Sequence, residues 1–178
     1  MKISQANRIL VIGCPGSGKT TLSKKMAKIL DLPIIHLDAF YHKPNWEEPK
    51  KDQWYKVLQD LVKRKLWIMD GNYAESFSLR FLRADAIIYL DYSSLKCCYR
   101  VLKRIIKYNG TKRSDMASGC VETFDLSFLK FVFMFNNVNR LNIYSMLEKQ
   151  MNIKPVKILK NDREVKNFLI ELRANFVP

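Results

Sequence analysis

Eight consecutive residues, Gly13-Cys14-Pro15-Gly16-Ser17-Gly18-Lys19-Thr20, fit the pattern G-x-x-x-x-G-K-[ST] at every fixed position. Each residue type there has a task on a polyphosphate. Glycines let backbone N–H groups turn toward phosphate through dihedrals that a Cβ would block. The Lys19 ammonium suits β- and γ-phosphate oxygens, and the Thr20 hydroxyl is a ligand for Mg²⁺. A helix beginning at this point aims the positive end of its dipole at the anion. Residues 9–12 are apolar and β-branched, and after the loop Leu22, Met26, Ile29 and Leu30 recur on one helical face. Strand, loop and helix in that order are the context a phosphate loop requires. ATP or GTP with Mg²⁺ is the expected ligand, held by residues 13–20 and the adjoining Thr21. No base-reading motif chooses between the two nucleotides.

Carboxylates are the next requirement, and three predicted strands run into aspartate, at Asp38, Asp70 and Asp91. Carboxyl ends of parallel strands share one edge of a sheet, where open α/β folds bind their ligands. Phosphoryl transfer uses one such group on the Mg²⁺ shell and another on the acceptor hydroxyl. Aspartate also favours turns. For Asp91, which leads into Tyr92-Ser93-Ser94 and a helix, the turn reading is the better one.

The elements that must position these residues alternate short β-branched runs with helical periodicities, the signature of a parallel α/β sheet. Strands are expected at 8–12, 33–37, 66–69, 86–90 and 156–159. Trp54, Val57, Leu58, Leu61 and Val62 mark one helix. Asn161 and Glu164 form a capping box before Val165, Phe168, Leu169 and Leu172. Two stretches interrupt the alternation, an insert rich in Pro, Trp and charge at 39–51 and a polar segment at 109–122. Both belong at the carboxyl edge of the sheet.

The length, 178 residues, suits one domain. A hydrophobic content of 48% supports a packed core. No apolar run approaches the roughly 20 residues that span a bilayer, and no signal-peptide pattern opens the chain. Cys14, Cys97, Cys98 and Cys120 lack zinc-ligand spacing and read as reduced thiols. A cytoplasmic protein is the expectation. The balance of 31 basic against 17 acidic residues gives +14, which implies an anionic partner. Residues 92–113 hold seven basic and no acidic side chains. A helix is expected from Ser93 or Ser94 to about Tyr108, with Lys96, Arg100, Lys103, Arg104 and Lys107 on one arc and Leu95, Cys98, Leu102, Ile105 and Ile106 toward the core. The basic arc can be a solvated face, a phosphate clamp or a nucleic-acid track.

Beyond the phosphate loop, longer motifs narrow the field. They are His36-Leu37-Asp38-Ala39-Phe40-Tyr41-His42-Lys43-Pro44-Asn45-Trp46, Trp67-Ile68-Met69-Asp70-Gly71-Asn72-Tyr73, and Arg113-Ser114-Asp115-Met116-Ala117-Ser118-Gly119-Cys120, with Arg80, Arg83-Ala84-Asp85, Arg100 and Arg104 between and around them. In these the chain resembles the topology modulation (FlaR-related) proteins, a branch of the adenylate-kinase-like P-loop proteins. That resemblance implies a three-layer fold with a five-stranded parallel sheet in order 2-3-1-4-5 and a lid near 109–122. It implies Asp70 at a Mg²⁺-bound water, Asp38 as acceptor or base carboxylate, and Arg100 and Arg104 at adenine or phosphates. The Asp-Gly-Phe-Pro-Arg acceptor motif of adenylate kinases is replaced by Asp70-Gly71-Asn72-Tyr73-Ala74, so AMP does not follow as substrate. A lid with Cys120 alone has no four-cysteine zinc site.

The expected activity is phosphoryl transfer to a small-molecule or nucleotide acceptor bound near Asp38, Tyr41, Trp46, Tyr73 and Arg80, with Lys19, Arg100, Arg104 and Arg113 neutralising charge. Trp46 and Tyr73 can equally be loop anchors, and Arg80 a surface charge. Asn161 is expected near the nucleotide base. Phe124, Phe128, Phe131 and Phe135, with Val132 and Met134, read as core. The rival reading is a nucleotide-dependent DNA-binding or regulatory protein, motivated by the charge.

Overall fold

Five runs of β-branched and aliphatic residues form the parallel sheet in this computed structural model, which describes residues 2–108, 110–111, 116–117, 119–121 and 123–176. The strands are β1 (Arg8–Gly13), β2 (Ile34–His36), β3 (Trp67–Asp70), β4 (Ala86–Leu90) and β5 (Val156–Leu159). Their order is β2-β3-β1-β4-β5, all parallel, as the sequence implies. Strand β1 lies at the centre with Ile9 to Ile12 fully buried, because helices cover both faces of the sheet. Register aligns the ends that carry chemistry: Val11 and His36 each stand beside Asp70, and Gly13 beside Leu90.

Among the described residues seven α-helices accompany the sheet: α1 (Lys19–Leu30), α2 (Leu37–Tyr41), α3 (Lys51–Lys63), α4 (Phe77–Arg83), α5 (Ser94–Tyr108), α6 (Leu126–Met151) and α7 (Asp162–Asn175). The buried stripes of α1 (Leu22, Met26, Leu30) and α3 (Trp54, Leu58, Leu61, Val62) are those their periodicity marks. At α7 half of the expected capping box forms: Asn161 Oδ1 accepts from Glu164 N at 3.0 Å, while Glu164 Oε2 accepts at 2.7 Å from Lys160 N, one residue before the N-cap, and not from Asn161 N.

Two helices depart from expectation. In α5 the core face is Cys97, Val101 and Ile105, while Leu95 and Ile106 are 70% and 81% exposed. The helix is turned so that its arginine edge borders the phosphate loop, and an apolar stripe is left at the surface. In α6 only Val132, Phe135, Ile143 and Leu147 are buried; Phe131 and Met134 are exposed, as is Phe124 just before the helix. Asp38 lies in the first turn of α2 instead of ending a strand. Arg113 and the rest of 109, 112–115, 118 and 122 lie outside the described residues.

Candidate active site

The loop between β1 and α1 closes around its own lysine. Gly13, Gly16 and Gly18 have φ of 149°, 83° and 100°, a region that L side chains rarely adopt. At Gly16 a Cβ would come within 2.5 Å of the Cys97 carbonyl, so the loop can lie this close to α5 only with glycine there. Lys19 Nζ donates to Gly13 O at 2.7 Å and Cys14 O at 3.1 Å. Burial pushes its pKa down, against the pull of Asp38 and Asp70. Asn72 Oδ1 accepts from Gly13 N at 3.1 Å and ties the β3 end to the loop.

No side chain caps α1, whose N-cap is Gly18 in a left-handed conformation. By contrast Asp125 caps α6 and Asn161 caps α7 with side-chain oxygens. A helix N-terminus left open toward a cavity is an anion site. Ser17 Oγ adds a buried hydroxyl with no hydrogen-bond partner among the described residues.

The cavity in front of this loop has a volume of about 2200 Å³, beyond the roughly 300–1,000 Å³ of a single-ligand pocket. Residues 15–21, Asp38, Tyr41, Trp46, Asp70, Tyr73, Arg100 and Arg104 all line it. Gly13 and Cys14 do not line it and reach it only through Lys19, which bonds to their carbonyls. The Cys14 side chain is 1% exposed and turned toward Val132 O, so the residue serves through its backbone.

The two carboxylates stand on opposite supports. Asp70, 5% exposed, pairs with His36 Nδ1 at 2.9 Å across the β2–β3 register. Asp38 accepts from the Tyr73 hydroxyl at 2.7 Å, and burial raises the pKa of that phenol, so it stays a donor. Tyr73 holds this position from a left-handed backbone, φ 36°. Around Asp38 the rings of Tyr41, His42, Trp46, Trp54 and Tyr73 contact one another at centroid distances of 4.5–5.2 Å. Asp91 stands apart: it accepts from Arg140 Nε and Nη2 and from Tyr144, fixing α6 to the end of β4.

Arg100 reaches the loop from α5. Its Nη1 donates to Ser17 O at 3.0 Å, its plane lies 4.6 Å from the Tyr92 ring centroid, and Nη2 pairs with Asp162. Hydrogen bonds from Lys96, Tyr92 and Arg100 hold the Asp162 carboxyl well below the usual carboxylate range. Arg104 lies over Phe128 at the cavity wall.

Two expected site residues have other duties. Arg80 is fully buried and donates to Ser76 Oγ and to the carbonyls of Gly71, Asn72 and Tyr73. It clamps the 71–73 loop from behind and does not line the cavity; burial lowers its pKa to about 9. Asn161 uses its side chain on the α7 cap, and the next residue, Asp162, faces the cavity instead. His36 and Asn72 belong to the site although neither was assigned to it from sequence. His36 had the signal of a polar side chain in an apolar strand next to Asp38, and Asn72 that of following Asp70-Gly71 within the motif at 67–73.

The segment after α5 meets the insert at the cavity mouth. Trp46 Nε1 donates to Val121 O at 2.9 Å, Cys120 Sγ lies 3.2 Å from Lys43 O, and Gly119 abuts Pro44. Met116 and Thr123 line the same space. All four cysteines are free thiols. No described helix is long and apolar enough to cross a membrane.

Among the described residues no group of three or more His, Cys, Asp or Glu side chains could hold a metal ion. A hard cation that keeps several waters and takes one or two protein oxygens plus phosphates does not need one. Thr20 and Asp70 on the cavity wall fit that demand.

The strand order and layering are those of an α/β fold that solved kinase structures share. Among solved structures the chain is similar to a deoxyadenosine kinase from M. mycoides, at 17% identity and a TM-score of 0.50 over 93% of this chain and 98% of that one. A protein from Chloroflexus aurantiacus assigned as a kinase gives 17% and 0.52 over 94% and 98%. Shikimate kinase from Bacteroides thetaiotaomicron gives 15% and 0.52 over 95% and 97%. No family model matches the chain, and no curated protein matches it.

Proposed function

We propose that this protein transfers the γ-phosphoryl group of ATP or GTP to a hydroxyl of a small acceptor. The observation that carries the reading is one cavity lined by an uncapped helix N-terminus, Lys19 and two aspartates on separate supports. Fold neighbours that are kinases of deoxyadenosine and of shikimate support transfer to a small molecule.

The roles follow from position. Backbone amides of the loop and α1 bind the phosphates, and Lys19 leaves its two carbonyls to meet β- and γ-oxygens. Arg100 exchanges Asp162 for phosphate, its fork matching the oxygens. Arg104 and, from the following segment, Arg113 add positive charge. Asp38 accepts the proton of the acceptor hydroxyl as its oxygen bonds to γ-phosphorus and the β–γ bridge bond breaks. Mg²⁺ arriving with the nucleotide would be held by Thr20 and, through water, by Asp70, and supplies charge neutralisation at the phosphates. The ring cluster of Tyr41, His42, Trp46 and Tyr73 beside Asp38 favours an acceptor with a flat ring. Free thiols suit work in the cytoplasm.

A screen of nucleosides, nucleotides and small hydroxyl compounds for ATP consumption identifies the acceptor. On that acceptor Asp38→Asn lowers kcat by about 10²–10⁴-fold with Mg-ATP affinity unchanged; full turnover in this variant overturns the assignment of Asp38. Trp46→Phe keeps the ring but removes the bond to Val121 O, so KM for the acceptor rises roughly 2–10-fold, the worth of one hydrogen bond. An unchanged KM shows that this contact does not hold the mouth closed. DNA binding is the alternative that the +14 charge raises. A steep salt dependence of DNA affinity without phosphorylation of any acceptor favours it.

A further inference from the structure

Helix α6 is apolar on more than the side it buries. Val132, Phe135, Ile143 and Leu147 face the core. On another side Phe131, Met134, Val138 and Leu141 are 48, 38, 64 and 81% exposed. Their spacing of three, four and three residues is the a/d repeat of a helix–helix seam. Ser127 and Ser145, both exposed, continue the same spacing outward.

The stripe is nearly a palindrome about residue 136. Phe131 mirrors Leu141, Met134 mirrors Val138, and Ser127 mirrors Ser145. A two-fold axis there sets each large apolar side chain against another and each serine against a serine, which is the self-complementarity an isologous contact needs. Charge points the same way. In a chain of +14, residues 127–145 contain only Lys130 and Arg140, and Arg140 is turned onto Asp91. The other exposed apolar stripe, Leu95, Tyr99 and Ile106 on α5, sits among Lys96, Lys103 and Lys107, whose repulsion opposes pairing with a second copy.

We propose that α6 is the contact of a two-fold homodimer, the two helices antiparallel with residue 131 of each copy against residue 141 of the other. One helix against one helix is small beside the roughly 800 Å² per partner of a stable interface. The dimer is therefore reversible and forms in the micromolar range.

Sedimentation of the full chain from about 1 to 100 μM tests this. The result expected is a concentration-dependent shift from 21.0 kDa to twice that mass. Val138→Glu sets two carboxylates near the axis and leaves a 21.0 kDa species throughout, with thermal stability and Mg-ATP binding as in the parent chain. Orientation is read by oxidising a mixture of Phe131→Cys and Leu141→Cys chains, which link to each other more than either links to itself. Overturning results are a parent chain that stays monomeric at the highest concentration, a Val138→Glu variant that still dimerises, or self-linking of Phe131→Cys as in a parallel pair. A monomer that binds anionic phospholipid vesicles through the same stripe overturns it in favour of a membrane surface.

Discussion

Replacing Lys19 with alanine is expected to lower phosphoryl transfer by at least about 10³-fold while the fold survives. The activity loss follows from what faces the β–γ bridge. With Lys19 gone, Arg100 remains bonded to the loop, but its guanidinium is already divided between Ser17 O and Asp162. Fold survival follows from the state of the lysine without nucleotide. Its ammonium is buried at a cost that lowers its pKa, and its bonds to Gly13 O and Cys14 O sit at the wall of a cavity that water can fill. Removing charge and bonds together changes stability little. Steady-state kinetics and a thermal melt check both halves. Near-normal turnover, or a collapsed melt, contradicts this account of the loop.

The second large effect falls on stability. Arg80→Met keeps most of the side-chain stem against Phe77 but leaves Ser76 Oγ and the Gly71 and Asn72 carbonyls without their donor, while Tyr73 O keeps the Ser76 hydroxyl. Charged hydrogen bonds in a buried setting are worth about 1.5–3 kcal/mol each, and relief of the buried guanidinium's desolvation offsets part of the loss. The net cost is about 2–4 kcal/mol, or roughly 5–15 °C in Tm for a chain of this size. Arg80→Lys does not restore it, because one ammonium cannot span three carbonyls and a hydroxyl. A melt unmoved by Arg80→Met, with KM for an anionic acceptor raised instead, returns Arg80 to the acceptor site.

The contrast between these two residues shows what the sequence carries. The β1–α1 turn is legible because its backbone conformation is encoded locally by glycines and their spacing. The strands and the insert follow from the same local pattern, whereas strand order comes with the resemblance alone. The place of Arg80 is not legible, because nothing local distinguishes an arginine facing a ligand from one bonded to carbonyls seven to nine positions before it. Asn161 carried two expectations that compete, and the structure shows the cap: its side chain accepts from Glu164 N at the start of α7. The α5 stripe of Leu95, Leu102 and Ile106 is a true periodicity, but periodicity marks an apolar face without saying what covers it. In α6 the same ambiguity is doubled, since a core stripe and a surface stripe share one helix. His36 and Asn72 depend on register, through the pairing of β2 with β3 and the approach of residue 72 to Gly13, and register is a long-range property.

The account rests on the β1–α1 turn receiving a metal-bound triphosphate. Calorimetric titration of Mg-ATP and of Mg-GTP into the full chain tests it without knowledge of the acceptor. The account predicts a saturable heat at one site per chain for at least one nucleotide, lost in Lys19→Ala. Absence of binding for both nucleotides, or equal binding by the Lys19→Ala variant, contradicts it.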